Sequence, residues 1–298
     1  MRTVRRVSIF LLVLLLVAIG AFVIYAPKLV LYPVRGGAPD VFAHAPTPGV
    51  NLSGMRIEPE KGISLEGFRM EPEGAKASMP TLILLHGICN SKDAYEDYAR
   101  HFCREGFRVV AFDSRAHGKS RGGCCTYGWH EKGDVSKIID EVIKIDPGTR
   151  IGIFGNSMGG AIALQAMAAD KRIECGVIES TFADFREAVY LHTEEWTGLK
   201  LSPYLDPMLW RAGVQGSWDP FEVRPEESAK SIDRPVFLAH GTRDELFPIS
   251  QGERIFRNLA SPDKEWVRVE GGRHGGLGQT YGPEYGKRVT GFFKKWLM

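Results

Sequence analysis

Gly155-Asn156-Ser157-Met158-Gly159 places a serine between two glycines in GxSxG spacing, after the apolar run Ile151 to Phe154 and before a helical pattern from Gly159 to Ala169. That spacing has a physical reason. A sharp turn from strand to helix strains the serine backbone, and flanking glycines let the two elements approach closely. The turn raises the hydroxyl above the carboxyl edge of the sheet, where open α/β sheets bind ligands. An ordinary Gly-rich turn could carry the same five residues. What argues against it is the strand on one side and the helix on the other.

A serine hydroxyl is a weak nucleophile until a base takes its proton, and the base needs a partner that fixes its tautomer and offsets its charge. Where serine stands at such an elbow, the acid and then the histidine follow it along the chain. The later histidines are His192, His240 and His274. The run Val236 to Ala239 leads into His240-Gly241-Thr242-Arg243-Asp244, which puts Asp244 just beyond a strand end, and His274 is the sole histidine after it. The expected triad is therefore Ser157, Asp244 and His274, with Glu245 and Asp263 as rival acids and a turn-forming surface aspartate as the plain alternative for Asp244. His86-Gly87 ends the run Leu82 to Leu85, at the place that supplies the second donor to a developing oxyanion. The expected hole is built from the backbone amides of Met158 and Ile88, with His86 as a structural residue.

These residues require a scaffold. Short apolar runs at Leu65–Met70, Leu82–Leu85, Val109–Phe112, Ile151–Phe154, Val177–Ile178, Val236–Ala239 and Trp266–Val269 alternate with helical patterns near 93–105, 135–145 and 159–169. Strands alternating with helices predict the α/β class, a mostly parallel central sheet with helices on both faces. Between Ser180 and Ile232 the alternation lapses into an aromatic-rich insertion, expected to form a helical lid over the sheet and to supply the acyl-binding wall.

His86-Gly87, Asp113-Ser114-Arg115-Ala116-His117-Gly118-Lys119-Ser120, Gly155 to Gly159, Gly241 to Asp244 and His274 together resemble the α/β-hydrolase superfamily, over about residue 80 to the C-terminus. Within it the chain is most similar to the serine-aminopeptidase-like and monoacylglycerol-lipase-like branch and to membrane-anchored α/β-hydrolase-domain proteins. The resemblance implies that Asp113, Arg115 and His117 are scaffold. Ala116 stands where many relatives have glycine. The expected activity is hydrolysis of an ester or related acyl bond through an acyl-enzyme, on an apolar or lipid-like small molecule, with no cofactor and no metal. A peptidase or acyltransferase using the same triad is the alternative, followed by a binding protein on a retired hydrolase fold.

At 298 residues and 44% hydrophobic composition the chain can bury a large core. Setting aside Arg2, Arg5, Arg6 and Lys28 turns the formal charge from +2 to −2, with bases scattered among acids, so nucleic acid is not an expected partner. Residues 7–26 are apolar apart from Ser8 and Tyr25, long enough as a helix to cross a bilayer core of roughly 30 Å. The expected organisation is a cytoplasmic N-terminus (1–6), a transmembrane helix (7–26), a linker (27–53) containing Gly36, Gly37, Pro39, Pro46 and Pro48, and a hydrolase domain (54–298) with the lid at about 180–232. Arg2, Arg5 and Arg6 ahead of the span predict a single-pass cell-membrane protein with its catalytic domain outside the cytoplasm. A cleaved signal peptide is the rival, since Ala18-Ile19-Gly20 loosely resembles a cleavage site.

The five cysteines, Cys89, Cys103, Cys124, Cys125 and Cys175, have no CxxC spacing, which argues against structural zinc. In an oxidising compartment Cys89 is expected to pair with Cys125, or instead with Cys124, and tie two neighbouring loops.

Overall fold

The computed structural model describes residues 2–36 and 39–298; Gly37 of the expected linker lies outside the described residues. The strands are β1 (Val50–Glu60), β2 (Ile63–Pro72), β3 (Thr81–Leu85), β4 (Arg108–Phe112), β5 (Ile151–Asn156), β6 (Ile173–Glu179), β7 (Val236–Gly241) and β8 (Lys264–Val269). The helices are α1 (Arg2–Tyr25), α2 (Pro27–Leu31), α3 (Glu96–Arg104), α4 (Glu131–Ile145), α5 (Met158–Ala169), α6 (Phe185–Thr197), α7 (Asp206–Gly216), α8 (Pro225–Ala229), α9 (Ile249–Asn258), α10 (Leu277–Tyr281) and α11 (Pro283–Leu297). The strands form one sheet in the order β1-β2-β4-β3-β5-β6-β7-β8. Pairing is antiparallel from β1 through β2 to β4 and parallel across the rest.

Side chains alternate across a strand, so a run that is apolar throughout must be covered on both faces. β3 shows this directly. Ile83 and Leu85 enter a core shared with Val135 of α4 and Ile162 of α5, while Leu82 and Leu84 enter a second core with Phe102 of α3 and Phe293 of α11. β1 was not evident in the sequence: among its eleven residues only Ile57 is buried, as suits an edge strand whose outer ladder faces solvent. The domain start expected at residue 54 falls inside this strand.

The segment read as a linker is largely part of the fold. Ala26, Pro27, Val30 and Leu31 are buried, and α2 packs against α7 of the insertion. Cys125 N–H donates to the Leu31 carbonyl at 2.9 Å and the Tyr127 hydroxyl to the Val30 carbonyl at 3.1 Å. Arg35 donates to the carbonyls of Gly118 and Ser120 at 2.7 and 3.0 Å. Gly36 sits so close to the loop after β3 that a Cβ there would lie 2.1 Å from the Cys89 carbonyl oxygen. Proline and glycine here terminate helices and permit close approach, which composition alone cannot distinguish from flexibility.

The insertion between β6 and β7 holds α6, α7 and α8, the last of which packs on α5 and α9 and so belongs to the body of the fold. The expected cysteine bridge is not formed. All five cysteines are free; the buried Cys125 thiol meets the Met158 sulfur at 3.5 Å, while Cys89 is exposed beside the Val34 carbonyl. Each sulfur is directed at a different partner. Residues Arg6–Leu31, which run from α1 through the α2 that packs on α7, are by length and composition a candidate membrane span.

The packing of α2 makes the chain just ahead of Arg35 part of the folded domain. Burial of Val30 and Leu31 alone is worth about 1.5–3 kcal/mol each. A chain starting at Arg35 should therefore melt ~6 °C or more below one starting at Gly20 when both are scanned by calorimetry. Equal melting temperatures would show that α2 adds nothing.

Candidate active site

β5 is buried up to Asn156, and α5 starts at Met158, leaving Ser157 to make the whole turn. It does so at φ 55° and ψ −120°, a left-handed backbone that a non-glycine residue enters only under constraint. The constraints are visible. Ser157 N–H donates to the Glu179 carbonyl at 2.9 Å, and the Thr181 hydroxyl donates to the Ser157 carbonyl at 2.7 Å. A Cβ on Gly159 would fall 2.0 Å from the Leu85 carbonyl oxygen, and one on Gly155 would fall 2.3 Å from the Gly159 carbonyl oxygen. Only glycine allows α5 to start this close to β3 and β5.

Ser157 Oγ lies 3.0 Å from His274 Nε2, and His274 Nδ1 lies 2.9 and 3.0 Å from the two Asp244 oxygens. A carboxylate only accepts, so Nδ1 carries the ring proton and Nε2 turns its lone pair toward the serine hydroxyl. Asp244 Oδ1 also accepts the amides of Leu246 and Phe247 at 3.0 and 2.8 Å. Burial works to raise its pKa, but the hydrogen bonds from His240 and His274, the electrostatic attraction of His274 and the Phe247 amide together hold the carboxyl well below the usual range. The Phe247 ring meets the His274 ring edge-on at 5.3 Å between centroids.

The three residues expected from the sequence are thus brought together, and the rival acids are not. Asp263 lies at the amino end of β7, where its carbonyl accepts the Val236 amide. Glu245 accepts the His274 backbone amide at 3.1 Å and the Arg273 guanidinium at 3.3 Å, so it fixes the histidine loop. In the sequence His240 stands only as one of the three histidines that follow Ser157. It is fully buried, donates from Nε2 to the Phe247 carbonyl at 2.9 Å, and stands 3.4 Å from Asp244 Oδ2. Its place four residues before Asp244, at a strand end, was the signal available.

Met158 heads α5, where first-turn amides have no intrahelical partner, and Gly87 is close enough that a Cβ would sit 3.4 Å from the Ser157 Cβ. Gly87 therefore lies against the serine. His86 accepts the Ser114 amide at 2.9 Å and is buried, which together with the adjacent His117 pushes its pKa down to about 4. It is a neutral tie between loops. Asp113 accepts the amides of Lys92 and Lys119 at 2.8 and 2.7 Å, and Arg115 grips Asp134 through two bonds of 2.7 Å.

Behind the elbow lies a group the sequence reading passed over. Glu179 pairs with Asn156 in the sheet and is buried, and its carboxyl accepts the Tyr285 hydroxyl at 2.6 Å. Burial raises its pKa to about 7 from an ordinary 4.5, against the lowering effect of Tyr285 and Asn156. A carboxyl that binds its proton more tightly when folded contributes stability below its unfolded pKa and loses that contribution as pH rises through the folded value. Urea titrations should therefore show the parent losing stability between pH ~5 and ~8 relative to Glu179→Gln. Identical slopes would remove Glu179 from the pH dependence.

The family model described as serine aminopeptidase, S33, matches residues 77–214. YqkD of Bacillus subtilis (strain 168), an uncharacterized protein, is 28% identical over 198 residues, which is 65% of this chain and 64% of that one. The chain thus spans less than two thirds of that relative's length. The bifunctional esterase/perhydrolase DCH of Acinetobacter calcoaceticus is 23% identical over 218 residues, 57% of this chain and 76% of its own. The Pyrococcus furiosus esterase Pf2001 superposes with a TM-score of 0.71 at 25% identity, covering 90% of this chain and 100% of that structure. With the sheet order and the elbow, these likenesses establish that the chain belongs to the α/β-hydrolase superfamily.

Proposed function

We propose that the protein is a membrane-anchored serine hydrolase that cleaves an ester of an apolar acyl group through an acyl-enzyme. The observation that carries this reading is the unbroken chain from Ser157 Oγ through His274 to the buried Asp244 carboxylate. Ser157 attacks the acyl carbon and gives its proton to His274 Nε2, while Asp244 holds Nδ1–H and stabilises the imidazolium. The carbonyl oxygen becomes negative and is met by the amides of Met158 and Ile88. Collapse expels the alcohol, which takes the proton from His274. Water then attacks the acyl-serine by the same route in reverse. An esterase among the solved structures and an esterase/perhydrolase among the relatives support the choice of ester. The family model's description favours aminoacyl amides as the second reading, since both bonds pass through the same tetrahedral intermediate.

The candidate span and the arginines before it support a single-pass membrane protein with the hydrolase domain outside the cytoplasm. For the acyl wall, the eight aromatics of the insertion divide into groups. Phe182 meets Phe247 at 5.6 Å, Phe185 follows at 6.0 Å, and Trp218 and Tyr127 pack on Phe185 at 5.4 and 4.2 Å, a row of rings that begins beside His274. Tyr190 and Phe221 flank Arg186, while Trp196, Tyr204 and Trp210 are 83%, 78% and 60% exposed. The wall is assigned to the buried row, and the exposed three have no part in it.

Ser157→Ala should lower kcat/KM on p-nitrophenyl esters by ~10⁴-fold or more, and His274→Ala nearly as far. Undiminished turnover by Ser157→Ala would refute the assignment, and faster turnover of aminoacyl amides than of esters would favour the second reading. Across a ladder of acyl lengths the parent should gain about fourfold per methylene until the wall is filled. Phe182→Ala and Trp218→Ala should blunt that gain and Trp196→Ala should not; a flat ladder in the parent would show that the rings only pack.

A further inference from the structure

α7 is apolar on two sides. Met208, Leu209, Ala212 and Gly213 face the body of the fold, while Pro207, Trp210 and Val214, spaced i, i+3 and i+7, form an exposed stripe on the other side. An exposed apolar stripe on a helix whose opposite face is already buried marks a surface that something else covers. α7 also packs against α1 and α2, so the helix that is long and apolar enough to cross a membrane leads onto this element. Trp196, Leu199 and Tyr204, in the same insertion, are exposed too, as are Tyr25 and Tyr32 on either side of α2. Tryptophan and tyrosine combine an apolar body with a polar edge, the chemistry that suits the headgroup layer of a bilayer.

We propose that the outward face of α7 and the exposed aromatics at 196–204 rest in the interfacial layer of the bilayer that α1 spans, so that the lid itself, and not the anchor alone, seats the acyl site at the lipid surface. The inference rests on the membrane reading of α1. A lipid surface is favoured over a protein partner because the stripe adjoins the junction where α1 meets α7, and with α1 in the membrane that junction sits at the bilayer boundary. The row of rings from His274 ends at Trp218, just beyond the C-terminus of α7, where its indole N–H donates to the Ala212 carbonyl at 3.1 Å. An acyl chain leaving the bilayer along α7 would thus reach that row.

The test uses the full chain reconstituted into phosphatidylcholine vesicles carrying a shallow nitroxide label on one acyl chain, with tryptophan quenching as the readout. Quenching should fall in Trp196→Phe/Trp210→Phe and persist in Trp266→Phe, whose ring packs on Phe256 in the body. The triple change Trp196→Ser/Tyr204→Ser/Trp210→Ser should leave hydrolysis of a short soluble ester unchanged and slow hydrolysis of a vesicle-borne ester several-fold. Protein that floats with the vesicles but shows the same quenching in the double variant would overturn lid docking while leaving the anchor intact. Two chains per nanodisc with those tryptophans unquenched would overturn it in favour of a second copy on this face. Protein that does not float at all would overturn the anchor, and the docking with it.

Discussion

Ser157 must hold φ 55° at the one point where β5 becomes α5, a conformation that costs on the order of 1–3 kcal/mol and persists only if its surroundings leave no alternative. The surroundings supply that from three directions. β6 accepts the Ser157 amide through the Glu179 carbonyl, Thr181 ties down the Ser157 carbonyl, and the glycines let α5 start against Leu85. A side chain at Gly155 or Gly159 would push α5 away from the sheet and move the hydroxyl that His274 now meets. The strain is thus a condition of the geometry on which the proposed chemistry depends.

Around that point the buried polar groups are tied to one another and to the loops. Lys92, nearly inaccessible, stands 3.2 Å from both Asp93 and Asp113, and Asp93 also accepts the Val41 amide at 3.1 Å. Asp113 reaches Lys119, whose loop receives Arg35. A buried ion pair is costly unless its remaining bonds are satisfied, and here most of them connect loops at one sheet edge. The segment leaving α2 is drawn into this network, which explains why residues that resemble a tether are held in place.

How much was legible follows from the same physics. The elbow, the order of serine, acid and histidine, and the parallel strands could be read because each forces a residue type: glycine at a close approach, unbroken apolar runs in strands buried twice. β1 could not be read, because an edge strand with one buried residue has no reason to be apolar. The packing of Val30 and Leu31 was concealed by the prolines and glycines that follow them. Glu179 carries no signal in the sequence beyond following the run Val177–Ile178, and only three dimensions place it beneath Ser157 with Tyr285 from a distant helix. Aromatic content marked the insertion as important but could not say which rings turn inward, since Trp218 and Trp210 read alike in the sequence and differ in exposure, 6% against 60%.

The central claim is that Ser157 is the residue that becomes acylated. It is tested most directly by treating the full-length protein with a fluorophosphonate and locating the adduct by peptide mass spectrometry. The account predicts a single phosphonylated peptide containing Gly155 to Gly159, with the added mass on Ser157 and none once the protein is unfolded beforehand. An adduct on another serine, or a folded protein that takes up no reagent, would contradict it.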